Sequence, residues 1–247
     1  MTRIRFMNTY IDNLTMDETI VEIDHLIRAN HNSYVVTPNT DIITKLEVND
    51  KFRTIVNNAD LILADGQPLI WISKWYKTPI KEKVSGSDLF PRICKLAAEK
   101  GYSIYLLGAA EGIADEAAKR LTEKYAGLII SGTFSPSFGF EKRPEEVSAI
   151  VDNIKKAHPS ILVVGLGAPK QETFIYEHRE EMGVPISFGL GATIDFEAGN
   201  IKRAPIWMRE HGLEWLFRIT QDPKRLMKRY LIDDMKIIPL FFKYAKK

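Results

Sequence analysis

The chain has 247 residues, of which 45% are hydrophobic and 27% charged, with a formal net charge of +2. This composition fits one large or two small globular domains and argues against a disordered chain. The only cysteine, Cys94, excludes a disulfide framework and a cysteine-based zinc site, and no apolar run approaches the ~20 residues of a membrane span. The amino terminus lacks the apolar core of a signal peptide, so we expect a cytoplasmic protein.

The first 200 residues alternate short apolar runs with amphipathic helical patterns. A strand or hairpin is predicted at 4–10, and further strands are predicted near Tyr34, Leu61, Ser103, Leu128, Ile161 and Ile186. Helices are predicted after the capping box of Thr15 and Glu18, after the N-cap Asn39, at 51–57, from Pro68, at 88–100 with Ser87 as N-cap, at 112–125 and at 144–157. This alternation of five or six strands with helices favours an α/β fold with a mainly parallel sheet and helices on both faces.

The chain changes character after Gly199 and Asn200, where the strand pattern stops. Residues 202–247 contain 12 Lys or Arg and 5 Asp or Glu, a net charge of +7, with aromatic residues between the charges. This make-up is typical of a helix at an anionic membrane surface, and a nucleic acid is another polyanion that it would suit. A helical hairpin packed on its own domain explains the composition equally well. We therefore divide the chain into an α/β catalytic core at 1–200 and a helical, basic, membrane-associating appendage at 201–247.

Polar, acidic or glycine-rich segments follow the predicted strands one after another. They are TPN at 37–39, ADG at 64–66, GAA at 108–110, GLGAPKQE at 165–172 and GLG at 189–191. Because ligands of open α/β folds bind outside the carboxyl ends of the strands, we expect these segments to line one cleft. The chain is therefore predicted to be an enzyme or a nucleotide-binding protein.

Asp65 is the strongest candidate for a catalytic base. Its carboxylate directly follows a strand and precedes Gly66 and a helix, a position from which it can take a proton from a substrate hydroxyl. A role as the cap of that helix is an equally weighted alternative. Asp195, after the second glycine loop, is a rival base with the same ambiguity. Asp41 and Asp88 are expected in first helical turns, where their charge complements the helix dipole.

Two glycine loops, at 165–167 and 189–191, indicate a phosphate site. Neither completes a dinucleotide fingerprint, because Lys170 and Ile194 replace the third glycine, and a dehydrogenase is therefore weakly supported. The backbone N–H groups of these loops can still bind a diphosphate, with direct contacts from Lys170 and Gln171. Ordinary tight turns are the alternative explanation of either loop.

Metal chemistry has little support in the sequence. No Asp-x-Asp element occurs, the five histidines lack the spacing of metal ligands, and the acidic pair Asp233-Asp234 falls in the basic tail, outside any strand-end cleft. Neither a metal nor an organic cofactor is predicted. Protein cations and helix N-termini are therefore expected to stabilise a negative leaving group, and the tail is the richest source of cations.

Several of these segments together resemble the WecG/TagA/CpsF glycosyltransferases of bacterial envelope polysaccharide synthesis. The matching motifs are TPNTD at 37–41, ADG at 64–66, KVSGSDL at 83–89, LGA at 107–109, GLGAPKQE at 165–172, KRAP at 202–205 and GLEWLFR at 212–218. The resemblance implies a Rossmann-like core and an inverting, metal-independent transfer of a sugar from a UDP-sugar to an undecaprenyl-diphosphate-linked sugar. The donor would be UDP-N-acetylmannosamine, its uronate or UDP-glucose, and the reaction would take place at the inner face of the cytoplasmic membrane.

The resemblance also assigns roles to individual residues. Asp65 is the proposed base, and Arg218 and Arg225 are the tail arginines that act with it. The other residues that the motifs place at the substrates are Thr37, Asn39, Asp41, Gly66, Lys83, Ser87, Asp88, Gly108, Gly165, Gly167, Lys170, Gln171 and Glu172. Two positions depart from the family pattern, because Asp41 stands where many members have glutamate and Lys83 where arginine is common.

The predicted mechanism is a single displacement in which Asp65 accepts the proton of the acceptor hydroxyl as that oxygen attacks the anomeric carbon and expels UDP. The predicted partners are the UDP-sugar, the lipid-linked acceptor and the membrane, with no nucleic acid and with a homo-oligomer as one option. The alternative from another functional class is a nucleotide-binding module without catalysis, tethered by its basic tail.

Overall fold

The structure, a computed structural model, describes residues 2–245, except for the side chains of Glu210 and Arg225. Its first element is an antiparallel hairpin of β1 (Arg3–Phe6) and β2 (Thr9–Asp12), which confirms the strand or hairpin predicted at 4–10. The remaining strands are β3 (Ser33–Val36), β4 (Leu61–Ile62), β5 (Ser103–Gly108), β6 (Ile129–Phe134), β7 (Ile161–Gly165) and β8 (Ile186–Gly189).

Strands β3 to β8 form one parallel sheet in the order β4-β3-β8-β7-β5-β6. Strands β3 and β8, which are far apart in sequence, pair in register from Ser33 with Ile186 to Val36 with Gly189. The polar segment after β3 and the glycine loop after β8 therefore leave the sheet side by side. This is the edge at which open α/β sheets bind ligands.

Helices cover both faces of the sheet. They are α1 (Met16–Ala29), α2 (Thr40–Val48), α3 (Asp50–Asn57), α4 (Gln67–Trp75), α5 (Gly86–Lys100), α6 (Ile113–Lys124), α7 (Pro144–Ala157), α8 (Lys170–Met182) and α9 (Thr193–Glu197). Alternate strand residues enter two separate hydrophobic layers, with Tyr34 and Val36 in one and Val35 in the other. The predicted Rossmann-like α/β fold with helices on both faces is confirmed.

Helix starts follow the sequence signals in two cases and depart from them in a third. The capping box before α1 is present, because Glu18 N–H donates to the Thr15 hydroxyl at 3.2 Å and Thr15 N–H donates to the Glu18 carboxylate at 2.8 Å. Asn39 caps α2 by accepting from Ile42 N–H at 3.1 Å. The prediction that Ser87 caps α5 is wrong, because the helix begins at Gly86 and its N-cap is Ser85.

The segment after residue 200 is helical, as predicted, and packs back on the core. It comprises α10 (Ile206–Glu210), α11 (Glu214–Gln221), α12 (Pro223–Lys228), a π-helical turn (Arg229–Asp233), a 3₁₀ turn (Asp234–Lys236) and α13 (Ile237–Ala245). The ring of Tyr76 stacks on Phe241 with centroids 5.5 Å apart, and its hydroxyl donates to the Phe241 carbonyl at 2.8 Å. Over residues 2–245, no helix combines the length and apolar character required to cross a bilayer.

Candidate active site

A cavity of about 790 Å³ lies at the carboxyl ends of the strands. Part of its lining comes from the segments that follow β3, β4, β7 and β8, and another part comes from α10, α11 and the turns at 229–236. The predicted site residues that line it are Thr37, Asn39, Asp41, Asp65, Gly66, Lys83, Ser87, Gly165, Gly167, Gln171 and Arg218, together with the rival base Asp195. Four of the five strand-end segments thus meet at one cleft, and the segment after β5 does not line it.

Asp65 is positioned by the backbone on both sides of it. Its N–H donates to the Pro38 carbonyl at 2.9 Å, and the carbonyl of Ala64 accepts from Val84 N–H at 2.9 Å. Gly66 then turns the chain with φ 121°, a value that favours glycine, and this glycine occupies the N-cap position of α4. The N-cap position thus falls to Gly66, and Asp65 faces the cavity.

Burial raises the pKa of Asp65 to about 7. Lys83 and Arg218 act in the opposite direction and lower this pKa, whereas the carboxylates of Glu214 and Asp88 raise it further. A carboxyl group whose pKa lies near neutrality is partly ionised at physiological pH and can accept a proton during a reaction. The environment of Asp65 is therefore suited to general base catalysis.

A group of cations surrounds Asp88 close to the proposed base. Asp88 accepts from Arg203 at 2.7 Å and lies 3.2 Å from Arg209 Nη1 and 3.6 Å from Lys83 Nζ. Burial alone would raise the pKa of Asp88, but the hydrogen bonds from Ser85 and Arg203 and the nearby positive charges lower it to about 2. Three cations share this one carboxylate, so the region keeps an excess of positive charge that favours a phosphate ligand.

Gln171 connects the two glycine loops. Its side-chain oxygen accepts from Gly167 N–H at 3.1 Å and from Gly191 N–H at 3.0 Å, and its Nε2 donates to Glu172 at 2.8 Å. We expected the loop N–H groups to face a diphosphate, but these two N–H groups are already bonded within the protein. The direct effect of Gln171 in this structure is to fix the shape of both loops.

Four other predicted site residues do not line the cavity. Gly108 is a packing position, because a Cβ there would lie 2.5 Å from the carbonyl oxygen of Gly165. Lys170, for which we expected a phosphate contact, pairs with Glu141 at 2.7 Å. Glu172 is fully buried, and Asp88 pairs with Arg203 and Arg209. The side chain of Arg225 falls outside the described residues, so its role stays a prediction.

Several lining residues were not among the predicted site residues. They include Trp71, Arg209, Glu214, Trp215, Arg229 and Asp234. The prediction that the acidic pair at 233–234 lies outside the cleft is wrong for Asp234, because the tail folds back across the strand ends. Burial raises the pKa of this carboxyl to about 6. The alternation of cations and aromatic residues indicated an anionic partner for the tail but not its place in the fold.

Asp41 also lines the cavity, and its carboxylate is close enough to Asp234 to raise the pKa of that carboxyl. Its carboxylate pairs with Lys45 at 2.7 Å, one turn along α2, and Lys45 also donates to the Ala168 carbonyl at 3.1 Å. Lys45 thereby ties α2 to the residue that follows the first glycine loop. Among the side chains that the structure describes, no group of three or more His, Cys, Asp or Glu residues is arranged to hold a metal ion.

Comparison with known proteins gives a match along almost the entire chain. The family model described as "Glycosyl transferase WecG/TagA/CpsF family" matches residues 4–247. A Bacillus spizizenii protein named N-acetylglucosaminyldiphosphoundecaprenol N-acetyl-beta-D-mannosaminyltransferase is 32% identical over 196 residues, which cover 79% of this chain and 74% of the relative. A Staphylococcus aureus protein of the same name is 28% identical over 247 residues, covering 99% and 92% of the two chains. The chain therefore belongs to the WecG/TagA/CpsF glycosyl transferase family.

Proposed function

We propose that this protein transfers N-acetylmannosamine from its UDP derivative to N-acetylglucosamine carried on undecaprenyl diphosphate. Family membership and the shared name of the relatives support a hexosyltransferase with a lipid-linked acceptor. The observation that carries the proposal is the placement of Asp65, with its raised pKa, in a cavity whose walls also hold Lys83, Arg209 and Arg218. The carboxyl group of Asp65 thus shares the cavity with several cations that suit a diphosphate.

The proposed reaction is a single displacement. The acceptor hydroxyl oxygen forms a bond to the anomeric carbon while the bond from that carbon to the β-phosphate oxygen breaks. The hydroxyl proton passes to Asp65, and the bonding electrons leave with UDP. Because attack and departure occur on opposite sides of the carbon, the configuration inverts.

The negative charge that develops on UDP needs a positive environment. Arg218 lines the cavity, and its guanidinium lies 5.6 Å from the centre of the Phe196 ring, which limits its orientation. Arg225 is proposed to act with it, as the resemblance implies. Fixed cations of this kind accelerate a reaction when they interact more strongly with the transition state than with the substrate. We propose that they make a divalent metal unnecessary.

The same proposal includes the cellular setting. The acceptor is anchored in a bilayer, and the segment 202–247 carries a net charge of +7 that suits anionic lipid head groups. We propose peripheral attachment to the inner face of the cytoplasmic membrane and a role in assembling a cell-envelope polymer such as teichoic acid. Nucleic acid is not a proposed partner.

A donor screen tests the proposal directly. The protein is incubated with one lipid-linked N-acetylglucosamine diphosphate and, separately, with UDP-N-acetylmannosamine, UDP-N-acetylglucosamine and UDP-glucose, with and without EDTA. Transfer from the mannosamine donor, unchanged by EDTA and with inverted configuration in the product, is the expected result. Binding of UDP without transfer of any sugar would contradict the proposal and favour a nucleotide-binding module.

A further inference from the structure

The cavity has an apolar opening that the proposed chemistry does not use. Four lining residues are large and hydrophobic and also exposed, with exposed fractions of 58% for Trp71, 39% for Trp215, 53% for Leu231 and 49% for Met235. Exposed apolar side chains that cluster at one place commonly mark a ligand or interaction surface. Their position at the cavity indicates a ligand that continues from the site to the outside.

The apolar surface extends outward from this opening. Trp75 follows Trp71 by one turn of α4, so that both side chains lie on the same side of the helix. The ring of Trp75 contacts Phe241 with centroids 5.7 Å apart, and Phe241 contacts Phe242 at 5.1 Å. Trp75 and Phe242 are 71% and 60% exposed. An apolar path therefore leads from the cavity across α4 to α13.

The cavity also has polar lining residues. Asp65, Lys83 and Arg209 line it, and both cations lie close to the carboxylate of Asp88. The cavity thus combines a proton acceptor, a group of cations and exposed apolar side chains. A lipid-linked sugar has the complementary hydroxyl group, diphosphate and hydrocarbon chain.

We propose that Trp71, Leu231 and Met235 bind the first isoprene units of the acceptor lipid as its chain leaves the cavity for the bilayer. This inference rests on the proposed function, since it concerns the acceptor of that reaction. The occupant is the isoprenoid chain because the cations that line the same cavity suit its diphosphate and the adjoining apolar path leads toward the exposed rings of Trp75 and Phe242. A flat membrane surface would contact the exposed rings but would not extend to side chains that line the cavity.

Binding measurements with a diphosphate that does or does not carry the isoprenoid chain test this assignment without requiring turnover. The probes are undecaprenyl diphosphate and inorganic diphosphate, each in the same detergent, and the proteins are the parent, Trp71→Ala and a Leu231→Ser/Met235→Ser double variant. Loss of a large contact with an apolar ligand should weaken undecaprenyl diphosphate binding about tenfold in both variants. Inorganic diphosphate and UDP should bind all three proteins with unchanged affinity, because neither carries an isoprene unit.

Trp207→Ala is the matched control, because Trp207 has the same exposed fraction as Trp71, 58%, and neither lines the cavity nor belongs to the apolar path. It should bind undecaprenyl diphosphate like the parent. The assignment is overturned if Trp71→Ala and the double variant keep the parent affinity for the long lipid, or if they lose affinity for both diphosphates equally. Thermal unfolding of each variant checks that it is folded.

The binding result also separates this inference from the proposed function. If the parent binds undecaprenyl diphosphate through Trp71 but transfers no sugar, the lipid site stands and the proposed reaction is wrong. If the parent and Trp71→Ala both transfer sugar with the same KM for short and long acceptors, the reaction stands and the proposed lipid site is wrong.

Discussion

At the scale of single residues, the proposed chemistry depends on the protonation state of Asp65. Its pKa is raised to about 7 by burial, and a base must be ionised to accept a proton. The transfer rate should therefore fall as the pH decreases below about 7 and reach a plateau above it. Asp65→Asn should keep the fold and donor affinity while lowering kcat by ~10²–10⁴-fold, and it should lose this pH dependence. Rate measurements from pH 5 to 9 check both effects.

Asp195→Asn is the control for that prediction, because Asp195 also lines the cavity and its carboxylate accepts from Asn200 at 2.8 Å. Its kcat should stay within a fewfold of the parent value. If this variant lost activity and Asp65→Asn did not, the two aspartates would have to exchange roles.

Glu172 allows a stability prediction at the same scale. Burial raises its pKa to about 7, although Gln171 donates a hydrogen bond to it, and its second oxygen is buried without a partner among the described residues. A raised carboxyl pKa means that ionisation destabilises the folded state, with a cost that grows from about pH 4.5 to pH 7 and stays above it. Glu172→Gln should remove a cost on the order of 1–3 kcal/mol at pH 8.

Urea unfolding of the parent and Glu172→Gln at pH 4.5 and pH 8 measures this effect. The free energy of unfolding of the variant relative to the parent should increase from pH 4.5 to pH 8. An effect of the new amide that does not depend on pH is the same at both values and does not alter this increase. An unchanged difference would show that Glu172 keeps an ordinary pKa.

Single residues differ in how far the sequence predicts them. The place of Asp65 in the cleft was predicted because its carboxylate follows a short apolar run at a strand end. A role as the helix cap was an equally weighted alternative, and the family motif favoured the role of a base. The contact of Gln171 with Gly167 and Gly191 was not predicted, because it joins loops from β7 and β8 whose proximity depends on the sheet order. The ion pair of Lys170 with Glu141 was not predicted for a similar reason, since the two residues are distant in sequence.

At the scale of elements, Asp88 links α5 to the start of the tail. It pairs with Arg203 and Arg209, and its removal would leave these cations and Lys83 close together without their shared anion. Breaking such a partly buried group should cost about 1–3 kcal/mol. Asp88→Asn should therefore increase hydrogen exchange in 203–221 while β5 and β7 keep their protection.

A suitable comparison is Asp17→Asn, which removes the exposed partner of Arg92. Exposed pairs contribute ~0–1 kcal/mol, so this variant should leave hydrogen exchange in the tail unchanged. Equal exchange in Asp88→Asn and the parent would mean that other contacts hold the tail.

Elements were largely predictable because their signals are local. The capping box of Thr15 and the N-cap Asn39 were predicted from adjacent residues, and both are present. Ser87 was misassigned because three consecutive polar or small residues, Ser85 to Ser87, offer alternative starts for α5. Ser85 occupies the N-cap position, and its hydroxyl donates to Asp88 at 2.6 Å instead of accepting from the backbone.

At the scale of the whole molecule, the tail completes the cavity. It supplies Arg209, Glu214, Trp215, Arg218 and Arg229 to the lining. A chain that ends after Asn200 should keep the parallel sheet and its circular dichroism signal for a folded α/β protein. It should lose sugar transfer and vesicle binding, and its thermal midpoint should decrease because Tyr76 loses its contact with Phe241. Full activity in this shortened chain would contradict the proposed role of the tail.

Composition revealed that the tail differs from the core, but it did not reveal where the tail lies. A net charge of +7 and many aromatic residues suit a membrane, a nucleic acid or a packed hairpin equally well. The contacts of Phe241 with Tyr76 and of Tyr244 with Glu47, at 3.0 Å, join residues more than 160 positions apart, beyond the reach of local patterns. The wall that Asp234 and Arg229 add to the cavity was therefore missed.

The close approach of the strand ends limits how the enzyme can be redesigned for bulkier sugars. A methyl group at Gly108 would lie 2.5 Å from the Gly165 oxygen, and one at Gly165 would lie 2.8 Å from the Gly191 oxygen. The sheet side of the site therefore cannot recede without separating β5, β7 and β8. Extra room for a larger donor has to come from smaller side chains on the tail side, where Trp215 is only partly packed, so a substitution library is best concentrated there.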